Sequence, residues 1–241
     1  MSTTVFLAGA TGALGSQLVP LLAGAGYRVF GTTRVKERAP ALEAAGAQPV
    51  VLDIFDEAAV EAAVTRIRPE ILIDMLTDLP KDLNPEAMPA ARIRNARLWR
   101  EGARILMNAA RQAGTRRALA QSLAWHYAPG PEPHKEEDEL GTTNPDRTSL
   151  EGVLALERAV LDTPPVEGIV LRYGLLYGPG TSSERPEGAC PVHVEAAAHA
   201  ALLAIGKGRP GAYNVVDDNA FASTEKARRE LGWDPAFRRA G

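Results

Sequence analysis

The chain has 241 residues, with 27 Lys and Arg against 30 Asp and Glu, a net charge of −3 and 45% hydrophobic residues. That balance leaves no electrostatic footprint for nucleic acid or an anionic membrane. The single cysteine, Cys190, excludes an internal disulfide and a cysteine-type zinc cluster.

The N-terminus runs straight into an apolar segment, Val5-Phe6-Leu7-Ala8, that reads as a buried parallel strand. It leaves no room for a signal peptide, and no apolar run reaches the roughly 20 residues of a bilayer span, so a cytoplasmic protein is expected. A glycine turn over 9–15, Gly-Ala-Thr-Gly-Ala-Leu-Gly, leads into apolar positions at helical spacing. Strands are predicted at 27–32, 48–52, 70–75, 117–122 and 168–172, with helices at 37–45, 57–67, 90–113 and 149–161. Residues 127–147, rich in Pro, Gly and acids, read as a long surface loop. Beyond 172 the pattern predicts a helix over 194–205, a strand over 212–216 and a last helix over 224–231. Repeated βαβ units of this length imply an α/β protein, a Rossmann-type doubly wound parallel sheet. In such sheets ligands sit beyond the carboxyl ends of the strands.

The glycine turn is the most specific signal. Gly9 allows a tight turn, Gly12 a close approach to a pyrophosphate, and Gly15 the packing of helix on strand. Thr11, Ala13 and Leu14 complete a loop whose free N–H groups and helix dipole would face the anion. After the second strand come Thr33 and Arg34, with no acidic residue before Glu37. A carboxylate there would favour NAD; its absence and Arg34, which can fork onto a 2′-phosphate, favour NADP. The plainer, less favoured reading is that Arg34 begins a solvated helix. Asp53, followed by Ile54, is placed to accept from an adenine amino group or to cap the next helix.

These segments resemble the extended short-chain dehydrogenase/reductase superfamily, in its NAD-dependent epimerase/dehydratase branch. The resemblance rests on GATGALG at 9–15, VVLDIFD around Asp53, and Asn95 in a long helix ending NAARQAG. Further along it rests on LRYGLLYGPG at 171–180, PVHVEAAAHA at 191–200 and STEKARRELGWDP at 223–235. It implies an NAD(P)-binding domain over 1–172 and a small substrate lobe over 173–241 packed on it. It also implies hydride chemistry on a small-molecule substrate, often a nucleotide sugar or other carbonyl compound. Thr77, Asn95 and Tyr173 are implied along the nicotinamide. Helices 90–113 and 149–161 are implied as a homodimer interface.

The departures carry as much information. Family enzymes use a Tyr with a Lys four residues later, and no Tyr-x-x-x-Lys occurs in this chain. Aligning on Glu157 puts Ser149 at the Tyr position and Val153 at the Lys position. Leu123 falls at the usual Ser/Thr position, with Ser122 one residue earlier and aimed the other way by strand alternation unless a bulge restores it. His126, Tyr127, Tyr173 and Tyr177 follow the fifth and sixth strands. Tyr127 is the first choice as a substitute acid, with packing as the plainer role for each aromatic. Only twelve residues separate Gly180 from His193, which points away from a large nucleotide-sugar substrate. The four histidines lack metal-ligand spacing. Arginines 92, 94, 97, 100 and 104 read as the solvated face of an amphipathic helix. Two readings stand: an oxidoreductase or epimerase-like enzyme with an atypical site, and a non-catalytic NADP-binding redox sensor or interaction protein.

Overall fold

The computed structural model describes residues 2–80, 82–144 and 146–239. The first half alternates β1 (Thr4–Ala8), α1 (Ala13–Gly24), β2 (Arg28–Thr33), α2 (Ala39–Ala44), β3 (Ala47–Val51), α3 (Glu57–Ile67) and β4 (Ile71–Asp74). Helix α4 (Met88–Arg97) passes through a π turn (Leu98–Gly102) into α5 (Ala103–Ala113). Then follow β5 (Arg117–Leu123), α6 (Thr148–Leu161), β6 (Glu167–Tyr173), β7 (Leu175–Tyr177), β8 (Pro191–His193), α7 (Val194–Gly206) and β9 (Gly211–Val215).

Seven strands form one parallel sheet in the order β3-β2-β1-β4-β5-β6-β9. The order reverses between β1 and β4, which opens a crevice above their carboxyl ends. Alternation along each strand feeds two cores. Val5 and Leu7 face one side with Ile73, Leu119 and Leu171, where α1 and α7 cover them. Phe6, Ala8 and Leu72 face the other side, against Val60 and Val64 of α3 and Leu106 of α5. Ala118, Ala120 and Val170 extend that face under Val153 and Leu156 of α6.

Helix ends are locally specified. Asp56 accepts from the Ala59 N–H at 3.0 Å and caps α3, and Gly114, at φ 74°, closes α5. Residues 173–241, expected as a lobe, instead give strand β9 to the edge of the sheet and α7 to its face. Strands β7 and β8 pair apart from it, as a two-stranded parallel ribbon that the sequence pattern did not predict. Among the described residues no helix is long and apolar enough to cross a membrane.

Candidate functional site

A cleft of about 760 Å³ opens above the β1–β4 crevice. Its floor is the turn between β1 and α1, where Gly9, Thr11, Gly12, Ala13 and Leu14 all line it. Gly9 sits at φ 82°, and a Cβ there would stand 2.6 Å from the Met75 carbonyl oxygen. Its N–H donates to Thr32 Oγ1 at 3.2 Å. Gly15 lies outside the cleft, and a Cβ on it would collide with the Gly9 carbonyl, so it holds helix to strand. No side chain caps α1 and its first turn carries no acid. First-turn N–H groups lack intrahelical partners, so this end presents bare donors to the cleft. The shape and chemistry fit a dinucleotide pyrophosphate.

Beyond β2 the cleft is lined by Thr33, Arg34 and Arg38. Thr33 Oγ1 accepts from the Val35 N–H at 3.1 Å and donates to the Val35 carbonyl at 3.2 Å, which shapes the turn that presents Arg34. Arg34 reaches Asp78 at 3.9 Å, and Arg94 approaches the other Asp78 oxygen at 3.5 Å. Arg38 went unnoticed in the sequence, although its place one helical turn after Arg34 was the available signal. Asp53 is exposed and lies outside the cleft, accepting from the Phe55 N–H at 3.0 Å in its own turn. Ile54 is buried and lines the cleft beside it. Helix α3 is capped by Asp56, so the capping role expected of Asp53 is filled by another residue.

The opposite end is formed by α4, β5, α6 and the end of β6. Thr77 lines it, and Asn95 Oδ1 accepts from the Asp78 N–H at 2.8 Å, fixing the loop after β4. Ser122 borders the cleft, and its hydroxyl donates to Glu157 Oε1 at 2.6 Å. No bulge reverses the strand, and alternation holds. Tyr173 also borders the cleft, yet its hydroxyl donates to the Ala197 carbonyl at 3.1 Å, and burial pushes its ionisation far up.

Tyr127, expected as the substitute acid, is placed elsewhere. Its ring is 5% exposed and stacks on His134 at 4.9 Å. Its hydroxyl donates to Asn214 Oδ1 at 2.7 Å and accepts from Arg172 Nη1 at 2.9 Å. Burial raises its ionisation against the pull of Arg172. Tyr127 borders a separate pocket of about 350 Å³ with His134 and Phe221, and Trp125 stands between that pocket and the main cleft. Tyr177 is likewise committed, donating to Asp217 Oδ2 at 2.8 Å.

Ser149 lines the cleft, and Val153, one turn on, is 1% exposed in the apolar cluster with Trp99 and Leu156. Among the described lining residues there is no His, Lys or Glu, and the one carboxylate is Asp78, flanked by Arg34 and Arg94. Asp74 lies at the end of β4 outside the cleft, and burial pushes its carboxyl up to about 7 against one hydrogen bond from the Leu76 N–H. Cys190 is buried, which pushes its thiol up to about 11.

A seven-stranded parallel sheet, a glycine turn at its switch point and an undefended helix terminus define an NAD(P)-binding Rossmann protein. The model of the NAD dependent epimerase/dehydratase family matches residues 5–223, and the chain belongs to that family. A 3-diazoavenalumate denitrifying reductase of Streptomyces sp is 38% identical over 239 residues, covering 89% of this chain and 76% of that protein. The fold is similar to UDP-glucose 4-epimerase of Thermotoga maritima with UDP-glucose, at TM-score 0.78 and 17% identity over 98% of this chain and 94% of that one. It is also similar to the Bordetella bronchiseptica enzyme WbmH in complex with NAD+, at TM-score 0.70 and 19% identity over 92% of this chain and 78% of that one.

Proposed function

We propose that this protein is a reductase using NADPH to replace the diazonium group of a small aryl carboxylate by hydrogen, a reaction that needs no proton donor from the protein. The observation that carries the reading is the cleft itself. The family's Tyr and Lys positions hold Ser149 and a buried Val153, and the hydroxyl of Tyr173, the one tyrosine among the described lining residues, is tied elsewhere. Carbonyl reduction makes an alkoxide that needs an acid. A diazonium group makes no such demand. The nicotinamide, when bound, supplies a hydride whose electron pair forms the new C–H bond, while the C–N bond breaks and its pair leaves with dinitrogen. The 38% identical denitrifying reductase supports this substrate class.

The chain's own residues bind and orient. Gly9, Thr11, Gly12, Ala13 and Leu14 hold the pyrophosphate, and Arg34 with Arg38 hold the 2′-phosphate of NADP. Thr77, Asn95 and the Tyr173 backbone border the nicotinamide end. Ser122 and Tyr127 serve as supports beneath the site, in place of the catalytic roles their positions suggested. Ile93, 64% exposed on α4, and Leu154, 38% exposed on α6, support a homodimer through these helices.

The test is incubation of the protein with NADPH and 4-carboxybenzenediazonium. The expected result is equimolar loss of NADPH and release of dinitrogen, with deuterium from 4-deuterated NADPH on the carbon that carried nitrogen. NADPH binding without turnover would favour the non-catalytic reading instead.

A further inference from the structure

Three arginines line the cleft: Arg34, Arg38 and Arg92. The first two follow β2 at the ribose end, and Arg34 faces Asp78. Arg92 stands apart, on α4. Its place follows from how α4 meets α6. Gly152 of α6 lies so close to α4 that a Cβ on it would be 2.9 Å from Ala96 Cα. Each helix follows a strand of the same parallel sheet, so both run in the same sense. One turn back towards their N-termini leads from Gly152 to Ser149 and from Ala96 to Arg92. Both of those residues line the cleft. Arg92 therefore stands beside the position where relatives place their catalytic tyrosine.

Among the described residues no carboxylate comes within 4.0 Å of the Arg92 guanidinium. Asp146, which senses its charge, is committed to Thr148, whose N–H donates to Asp146 Oδ1 at 3.0 Å. Leu83, Met88, Leu123 and Trp125 give the same cleft apolar lining. An unpaired guanidinium at the rim of an apolar slot suits a flat anion, with the ring against the walls and the charge at the rim. Arg92 is itself exposed, so its guanidinium is open to a ligand at this rim.

We infer that Arg92 anchors the carboxylate of the substrate and so selects aryl carboxylates over neutral aryl compounds. The substrate class rests on the function proposed above, but the anchoring can be tested without it. Cinnamate and cinnamamide are titrated calorimetrically into the protein saturated with NADP+, as wild type, R92Q and R92K. The expected result is that wild type binds cinnamate at least about tenfold more tightly than cinnamamide, that R92Q abolishes this preference, and that R92K keeps part of it. Equal binding of the two probes by wild type, absence of cinnamate binding, or a preference that survives in R92Q would overturn the assignment. Turnover of 4-carboxybenzenediazonium against benzenediazonium then separates the two claims. A carboxylate preference in binding without diazonium reduction sinks the proposed reaction and leaves the anchor standing. Reduction with equal kcat/KM for the two diazonium probes keeps the reaction and sinks the anchor.

Discussion

Glu157 accepts from Arg172 at both oxygens, Nε to Oε1 at 2.9 Å and Nη2 to Oε2 at 2.8 Å, with both side chains more than nine-tenths buried. The pair joins α6 to β6 directly beneath the cleft. It also recruits the two polar residues nearest the expected catalytic positions: Ser122 donates to Glu157, and Tyr127 accepts from Arg172. A buried pair adds little net stability against an apolar replacement, but removing one member strands the other. E157Q is therefore expected to destabilise the protein by about 3–5 kcal/mol in urea unfolding. A loss below about 1 kcal/mol would show that the pair is solvated.

Tyr127 belongs to the same network. Y127F leaves Asn214 Oδ1 without its donor and Arg172 Nη1 with the Glu136 carbonyl alone. The expected cost is about 1–3 kcal/mol of stability. Diazonium turnover is expected to stay within about threefold of wild type, whereas a general acid would cost about 100-fold or more.

The proposed preference for NADPH rests on Arg34 and Arg38. Replacing either with Ala should weaken NADPH about tenfold or more, with a much smaller effect on NADH, since charge-assisted bonds to the 2′-phosphate are lost only with the former. Parallel calorimetric titrations decide it. Equal weakening of both cofactors would remove the phosphate assignment.

Asp74 makes stability depend on pH. Its native carboxyl titrates at about 7, above its ordinary value of 3.8. Between these values the native state keeps a proton that the unfolded chain has released. The associated stability is full below pH about 4, falls as pH rises towards 7, and is flat beyond. The loss amounts to a few kcal/mol, on the order of 1.4 kcal/mol for each pH step between the two titrations. Unfolding free energies of D74N between pH 4 and 8 should lack this slope.

Position 153 tests whether the fold would accept a lysine there. V153K places an ammonium among Trp99, Leu156 and Val160, and unfolding should become several kcal/mol easier. S149Y, on the open wall of the cleft, should leave stability within about 1 kcal/mol. Restoring the family's pair would thus be limited by the lysine site.

Much of this was legible along the chain. Helix α3 falls at 57–67 as expected, because an Asp cap, an apolar face and a left-handed Arg68 mark it locally. The glycine turn announced its own geometry, with Gly9 at positive φ and Gly15 packed on the Gly9 carbonyl. Tyr127 was misplaced because its partners lie 45 and 87 residues further along, where no local pattern can reveal them. The β7–β8 ribbon escaped because three-residue strands carry too little periodicity. Strand β9 was expected over 212–216, but its membership of the main sheet is a matter of topology, since it pairs with β6 across α7.

The chain has three tryptophans, and their placement makes it self-reporting. Trp99 and Trp125 border the cleft, while Trp233 is buried with its indole N–H held by the Ala196 carbonyl at 2.8 Å. A dihydronicotinamide bound there would sit within energy-transfer range of the tryptophans at the cleft. Cofactor loading, exchange and oxidation could then be followed in real time from the intrinsic fluorescence of the unlabelled protein.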